Sequence, residues 1–206
     1  LGDWFCHNAD GAVWGLKLDE AETCEVECEG EETNATNWAH EVRVSWSFPK
    51  RGSMVPCVMR WSSGIYNDYM AKPMPATIDP KLVAAAAEHP SAYYGTKGMA
   101  VSGWWMNSAR LFPETFMKEV GKPQAVLPRV KGGHENDFLN AIRAGGRASS
   151  DFEYSARLTE IMLVGNIATR VREKLCYDFR TGRFTNSDKA NAFLRRQPRK
   201  GWEFGY

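Results

Sequence analysis

Apolar residues open the chain at helical spacing. Phe5, Ala9, Ala12, Val13 and Leu16 recur every three or four positions with no proline between them, which predicts a helix over residues 3 to 17, with Asp3 near the positive end of its dipole. The period then changes to two. "TCEVECEGE" (23–31) alternates, and "HEVRVSWSF" (40–48) puts Val42, Val44, Trp46 and Phe48 on one face and Glu41, Arg43, Ser45 and Ser47 on the other, the pattern of a half-buried strand. Pro49, Lys50, Arg51 and Gly52 read as a turn, and "VPCVMRWSSG" (55–64) as the partner strand.

Residues 66 to 80 carry Pro73, Pro75 and Pro80 with Asn and Asp among them, so they read as a loop. "KLVAAAAEH" (81–89) predicts a short helix closed by Pro90, and "AYYGTKGMAVSGWW" (92–105) returns to strand. There Gly95 and Gly98 mark a turn needing positive φ or close backbone approach. Between Pro113 and Pro128 the pattern is ambiguous. "GGHENDFLNAIRAG" (132–145) is helical, with Phe138, Leu139 and Ile142 on one face and Gly145–Gly146 at its end. "DFEYSARLTEIMLVGNIATRVREK" (151–174) is a longer helix whose inward stripe is Leu158, Ile161, Met162, Gly165 and Ala168, with a basic last turn. "LCYDFRTGRFT" (175–185) reads as a strand and turn, and "DKANAFLRR" (188–196) as a short helix before a basic, aromatic tail. Helix, antiparallel strands, then helices is the order of an α+β fold.

Composition narrows the class. The 206 residues can bury one sizeable core, or one domain with an appended lobe, and 43% hydrophobic with 25% charged residues is ordinary for a globular chain. A formal net charge of +1 offers no electrostatic case for nucleic acid or for an anionic membrane. No apolar run approaches the roughly 20 residues that span a bilayer, and no secretory signal is visible. Cys6, Cys24, Cys28, Cys57 and Cys176 are odd in number and scattered, which argues for reduced thiols; Cys24 and Cys28 lack a second pair or nearby His to complete a zinc site.

Candidate chemistry concentrates in the opening helix. Asp3 and His7 are four apart, hence on one helix face, and Asp10 lies three beyond His7. A carboxylate and an imidazole on one surface can orient a hydroxylated substrate and move its proton, although the same spacing also occurs in a plain surface pair. His40, His89 and His134 have less support, and His134 reads as a surface or capping residue. Trp104, Trp105, Trp14, Trp46 and Trp61 could stack a sugar ring or fill a core. "LRRQPRKGW" (194–202) reads as a docking strip or a solvated end. No G-x-G-x-x-G and no G-x-x-x-x-G-K-[ST] is present, so this stretch offers no nucleotide-binding loop of its own.

"LGDWFCHNADGAVWGLKL" (1–18) resembles the segment that opens the C-terminal domain of the Gfo/Idh/MocA oxidoreductases, relatives of glucose–fructose oxidoreductase and inositol dehydrogenase, where an Asp precedes a His by four residues. "GTKG" (95–98) is similar too, and the closing stretch from "GGHENDFLNAIRAGG" through "NSDKANAFLRRQPRKGWEF" resembles the end of the family's bacterial branch. The resemblance implies that residues 1–206 are a single C-terminal, substrate-binding and oligomerising domain: an open, mostly antiparallel sheet with helices on one face. It implies a cut at an interdomain boundary, with the Rossmann domain that binds NAD or NADP, and the Lys of its E-K-P motif, outside this stretch. His7 would then be the active-site His that handles the proton of the substrate hydroxyl, and Asp3 the acid that orients a sugar or cyclitol ring. The implied partners are a neutral sugar, glycoside or cyclitol and further copies of the chain through the sheet. Without its Rossmann domain the chain would be inactive in redox and bind no cofactor. A non-catalytic carbohydrate-binding or interaction module on the same domain is the alternative. The thiols tilt localisation to the cytoplasm, with the periplasm as alternative.

Overall fold

The computed structural model describes residues 1–34, 36–64 and 89–203. In chain order the elements are α1 (Phe5–Gly15), β1 (Thr23–Gly30), β2 (Val42–Phe48), β3 (Cys57–Ser62), β4 (Ser91–Tyr94), β5 (Met99–Ser102), β6 (Arg110–Phe112), α2 (Glu114–Val120), α3 (His134–Ala144), α4 (Phe152–Val171), β7 (Leu175–Asp178), β8 (Arg183–Phe184) and α5 (Asp188–Asn191). The fold is α+β, with open antiparallel sheets and helices packed against them. Two compact units divide the chain: Leu1–Gly2, Trp14–Asn67 and Ile161–Tyr206 form the first, Asp3–Val13 and Asp68–Glu160 the second.

The first unit is built on a five-stranded sheet of order β3-β2-β1-β7-β8, antiparallel throughout. Period-two alternation becomes burial here, because successive side chains point to opposite faces. Cys24 and Val26 of β1, and Val42, Val44, Trp46 and Phe48 of β2, are buried, while Thr23, Glu25 and Glu27 are exposed. Strand pairing sets Val26 opposite Trp46 and Cys28 opposite Val44, so the apolar residues of neighbouring strands share the inner face. The C-terminal half of α4 covers that face. Its Ile161 carbonyl accepts the Trp46 indole N–H at 3.1 Å, and Gly165 lies so close to the ring that a Cβ there would sit 2.1 Å from Trp46 Cζ2. Of the expected stripe, Leu158, Ile161, Gly165 and Ala168 are buried and Met162 is half-buried; Val164, Ile167 and Val171 are buried as well. The expected turn at residues 49 to 52 widens into a loop closed by an Arg51–Met54 bridge. Arg51 is buried, donating to the Leu16 carbonyl from Nε and Nη2 at 3.2 and 3.1 Å and to the Pro49 carbonyl. A guanidinium is tolerated there because carbonyl acceptors replace its water.

The second unit holds the sheet β4-β5-β6. In the β4–β5 hairpin the Gly95 N–H donates to the Gly98 carbonyl at 2.9 Å. A Cβ on Gly98 would stand 2.2 Å from the Phe112 carbonyl oxygen, so of the two reasons expected for these glycines close backbone approach is the one found at Gly98. α2 falls in the stretch where the sequence pattern was ambiguous, and β6 lies where no element was expected. α3 ends on Gly145 in the left-handed region (φ 62, ψ 28), with Gly145 N–H donating to Ile142 O at 3.2 Å and Gly146 N–H to Ala141 O at 2.9 Å. These bonds satisfy carbonyls the helix leaves open. Phe138, Leu139 and Ile142 do lie on one face of α3, but each is exposed. The expected helix at residues 81–89 lies outside the described residues except for its last position, as does the loop at 66–80. Among the described residues no helix is long and apolar enough to cross a membrane.

Candidate functional site

α1 begins two residues after Asp3. Phe5, Ala9 and Val13 are buried, as the spacing predicts, whereas Ala12 and Leu16 are only half-buried. Asp3 is therefore not on the helix: it lies in the preceding turn, where its carbonyl accepts the Cys6 S–H at 3.6 Å. The helix starts two residues later than expected because its first backbone acceptor is the Trp4 carbonyl, 3.2 Å from the His7 N–H and 3.3 Å from the Asn8 N–H. Both Asp3 and His7 are exposed, and among the described residues no hydrogen bond joins them.

What the second unit does bring to His7 is aromatic. The imidazole meets the Trp4 indole edge-on, ring centres 5.8 Å apart at 68°, and Trp4 meets Trp104 in the same way at 5.6 Å and 64°. Trp4, Trp104 and Trp105 are 46%, 51% and 63% exposed, which leaves indole surface open to a ligand. Three non-glycine residues with positive φ, Trp105 (56°), Met106 (59°) and Ser108 (53°), hold the segment that carries Trp104. Such conformations cost free energy and persist only where the surroundings impose them. Here the Gly103 N–H donates to the Asn107 carbonyl at 2.7 Å, and the Met106 N–H to the Gly103 carbonyl at 3.1 Å. Met106 also packs on α1: a Cβ at Gly11 would lie 2.5 Å from its Cε. Its sulfur sits 3.5 Å from the Tyr93 hydroxyl and 3.6 Å from the Ser102 hydroxyl, both of which donate to it.

Asp10, three residues beyond His7, is half-buried and accepts the Tyr154 hydroxyl proton at Oδ1, 2.6 Å away. Burial pushes the Tyr93 phenol above its ordinary value of 10.0, a Ser102 hydrogen bond opposes this, and the negative charge of Asp10 adds to the rise. Trp4, Tyr93, Met106 and Tyr154 thus join a neighbourhood from which the sequence picked out Asp3, His7, Asp10 and Trp104. Trp4 lies within the same opening stretch, but the others are contributed by segments more than eighty residues away and leave no local signal.

The remaining candidates fall elsewhere. Trp46 is fully buried in the first sheet and cannot stack a ligand, and Trp61 is half-buried on β3. Trp14 is exposed. The His40 backbone N–H donates to Glu31 Oε2 at 2.8 Å, a bond that with the Glu41 N–H holds the Glu31 carboxyl below its ordinary value. His134 stands on the surface, its Nε2 3.3 Å from Glu135. Cys24 is buried and Cys28 half-buried on the inner face of β1, and among the described residues no three His, Cys, Asp or Glu side chains gather as metal ligands. In the tail, Arg199 stacks over Trp202 at 5.1 Å. No family model and no curated protein sequence matches the chain.

Proposed function

We propose that this chain is the substrate-binding and oligomerising domain of an NAD(P)-dependent oxidoreductase of the Gfo/Idh/MocA type, acting on a hydroxyl of a sugar, glycoside or cyclitol. The observation that carries the reading is the row His7–Trp4–Trp104, an exposed imidazole continued by two open indoles. Indoles offer the C–H faces of a sugar ring an apolar, polarisable surface, and an imidazole next to them can take or return a hydroxyl proton. Asp3, exposed in the turn before α1, accepts hydrogen bonds from the ring hydroxyls and so selects which one faces His7. All described strand pairs are antiparallel and the chain has no G-x-G-x-x-G, whereas a dinucleotide is usually cradled by a parallel β–α–β unit with that loop. On this reading the cofactor, which supplies the hydride acceptor, belongs to a separate Rossmann domain. Self-association through the five-stranded sheet belongs to the same reading, and the five free thiols favour a reducing cytoplasm over the periplasm.

The test is a titration with neutral monosaccharides, glycosides and cyclitols, followed by indole fluorescence. Saturable quenching by at least one of them, weakened in Trp104→Ala, is expected; a panel with no saturating member overturns the reading. In the full-length protein His7→Ala should abolish nicotinamide reduction while ligand still binds. Turnover unchanged in that variant removes His7 from proton transfer, and binding without any turnover in the wild type leaves a non-catalytic carbohydrate-binding module.

A further inference from the structure

Asp10 is built into the fold more firmly than a helix-surface carboxylate requires. The Tyr154 hydroxyl, 144 residues away in sequence, donates to Asp10 Oδ1 at 2.6 Å and lies 3.2 Å from the Asp10 carbonyl oxygen. A distance of 2.6 Å is in the short range of hydroxyl-to-carboxylate bonds, and contact with both the side chain and the main chain of one residue fixes the backbone as well as the carboxylate. Two further contacts flank it. Ser91 Oγ of β4 donates to the Asn8 carbonyl at 2.9 Å, and Met106 closes on Gly11. Together they hold α1 at three residues, Asn8, Asp10 and Gly11, within the turn that follows His7.

We propose that Asp10 and Tyr154 form a positioning couple for His7: the hydrogen bond sets the rotation and depth of α1, and thereby stands the imidazole against Trp4, which in turn meets Trp104. Residues three apart on a helix are surface neighbours, so a rotation that releases Asp10 carries His7 with it. Asp10 is half-buried and engaged by Tyr154, so it acts through α1 and does not touch the ligand. This rests on the reading of His7 as a ligand-facing group. It extends that reading by naming what holds the group in place.

The experiment compares Tyr154→Phe, Asp10→Ala and Asp10→Asn in the intact chain with two readouts. The first is the NMR resonance of the His7 imidazole without ligand, which reports its place against the Trp4 ring. The second is affinity for whichever sugar or cyclitol saturates the wild type. Tyr154→Phe and Asp10→Ala should both move the imidazole resonance and weaken affinity roughly tenfold, about 1.4 kcal/mol. Their combination should be no worse than either alone, because each removes the same bond. Asp10→Asn retains a carbonyl oxygen that can accept the Tyr154 proton, and should restore both readouts most of the way. An imidazole resonance unmoved in Tyr154→Phe and Asp10→Ala overturns the proposal, as does additivity of the two. Failure of the functional reading looks different: no sugar binds the wild type, yet the His7 resonance still shifts in Tyr154→Phe.

Discussion

Trp46 and Gly165 show how one contact decides the core of the first unit. The indole is fully buried, its N–H is satisfied by the Ile161 carbonyl, and the ring edge occupies the volume a side chain at Gly165 would need. Gly165→Ala should therefore destabilise by about 1–3 kcal/mol through overpacking, although alanine is the better helix former. Trp46→Phe also destabilises alone, by lost contact and a lost hydrogen bond, but it shortens the ring where Cζ2 sits. The double variant should recover about 1 kcal/mol relative to the sum of the singles in urea unfolding, and strict additivity would show that the two side chains do not compete for space. A second residue-scale expectation concerns Asp178, whose carboxylate accepts the Arg180 guanidinium at 3.3 and 3.2 Å and the Arg180 backbone N–H at 2.8 Å. First the Arg180 side chain and then its backbone N–H hold the carboxyl below its ordinary value of 3.8. A depressed carboxylate adds stability that is present above the unfolded value and is lost as pH falls through the folded one. Wild type should thus be more stable than Asp178→Asn at neutral pH, with the gap closing as the pH drops below about 4. A gap constant across that range would mean that ionisation of Asp178 contributes nothing. At this scale the sequence was only partly legible. Trp46 and Trp104 are the same residue type in aromatic surroundings, and only the fold reveals that one is walled in and the other open.

At the scale of elements, the strands were readable because their signal is local. Alternation in β1 and β2 states which face each side chain takes, and burial follows it at Cys24, Val26, Val42, Val44, Trp46 and Phe48. The expected long helix became α4, with most of its inward stripe buried. α3 shows the limit: its apolar face of Phe138, Leu139 and Ile142 has the spacing of a core stripe, yet it is exposed, because periodicity reports a face and not what covers it. β6 is three residues long and owes its existence to pairing with β5, a non-local cause that short-range pattern does not carry. Gly98 is the residue on which that small sheet turns. With no side chain, it lets the hairpin pass against the Phe112 carbonyl at the end of β6; Gly98→Ala would push a Cβ to 2.2 Å from that oxygen. Because the obstacle is backbone, no rotamer change relieves it, and the loss should approach the upper end of the about 1–3 kcal/mol that overpacking costs. Gly145→Ala on the exposed end of α3 makes a useful contrast, since nothing lies near its Cβ and only the left-handed φ of 62° is penalised. It should cost about 1 kcal/mol. Thermal denaturation of the two variants in parallel checks the ranking, and equal losses would mean that the Phe112 approach is not a constraint.

The whole chain carries opposite charges in near balance, 26 Lys and Arg against 25 Asp and Glu, and many of them are spent on each other. Lys17 pairs with Glu20, Arg110 with Glu114, Lys174 with Glu25 and Arg147 with Asp151 and Glu153. Such exposed pairs add little stability, but they leave weak long-range fields for steering a charged ligand. The proposed site is mainly aromatic: two indoles and an imidazole, with the Asp3 carboxylate in the preceding turn and no cation among the proposed ligand-facing residues apart from what His7 can carry. Stacking on indole and hydrogen bonds from hydroxyls are short-range interactions that salt hardly screens, whereas attraction of an anionic ligand is damped within a Debye length of about 8 Å at physiological ionic strength. Affinity for the sugar or cyclitol that saturates the chain should therefore change less than about twofold between about 0.05 and 0.5 M sodium chloride. Titration at the two salt concentrations with the same ligand provides the measurement. A decline that follows the logarithm of salt concentration would point to a phosphorylated or carboxylated ligand held by cations outside the aromatic row, and would take substrate recognition away from His7, Trp4 and Trp104.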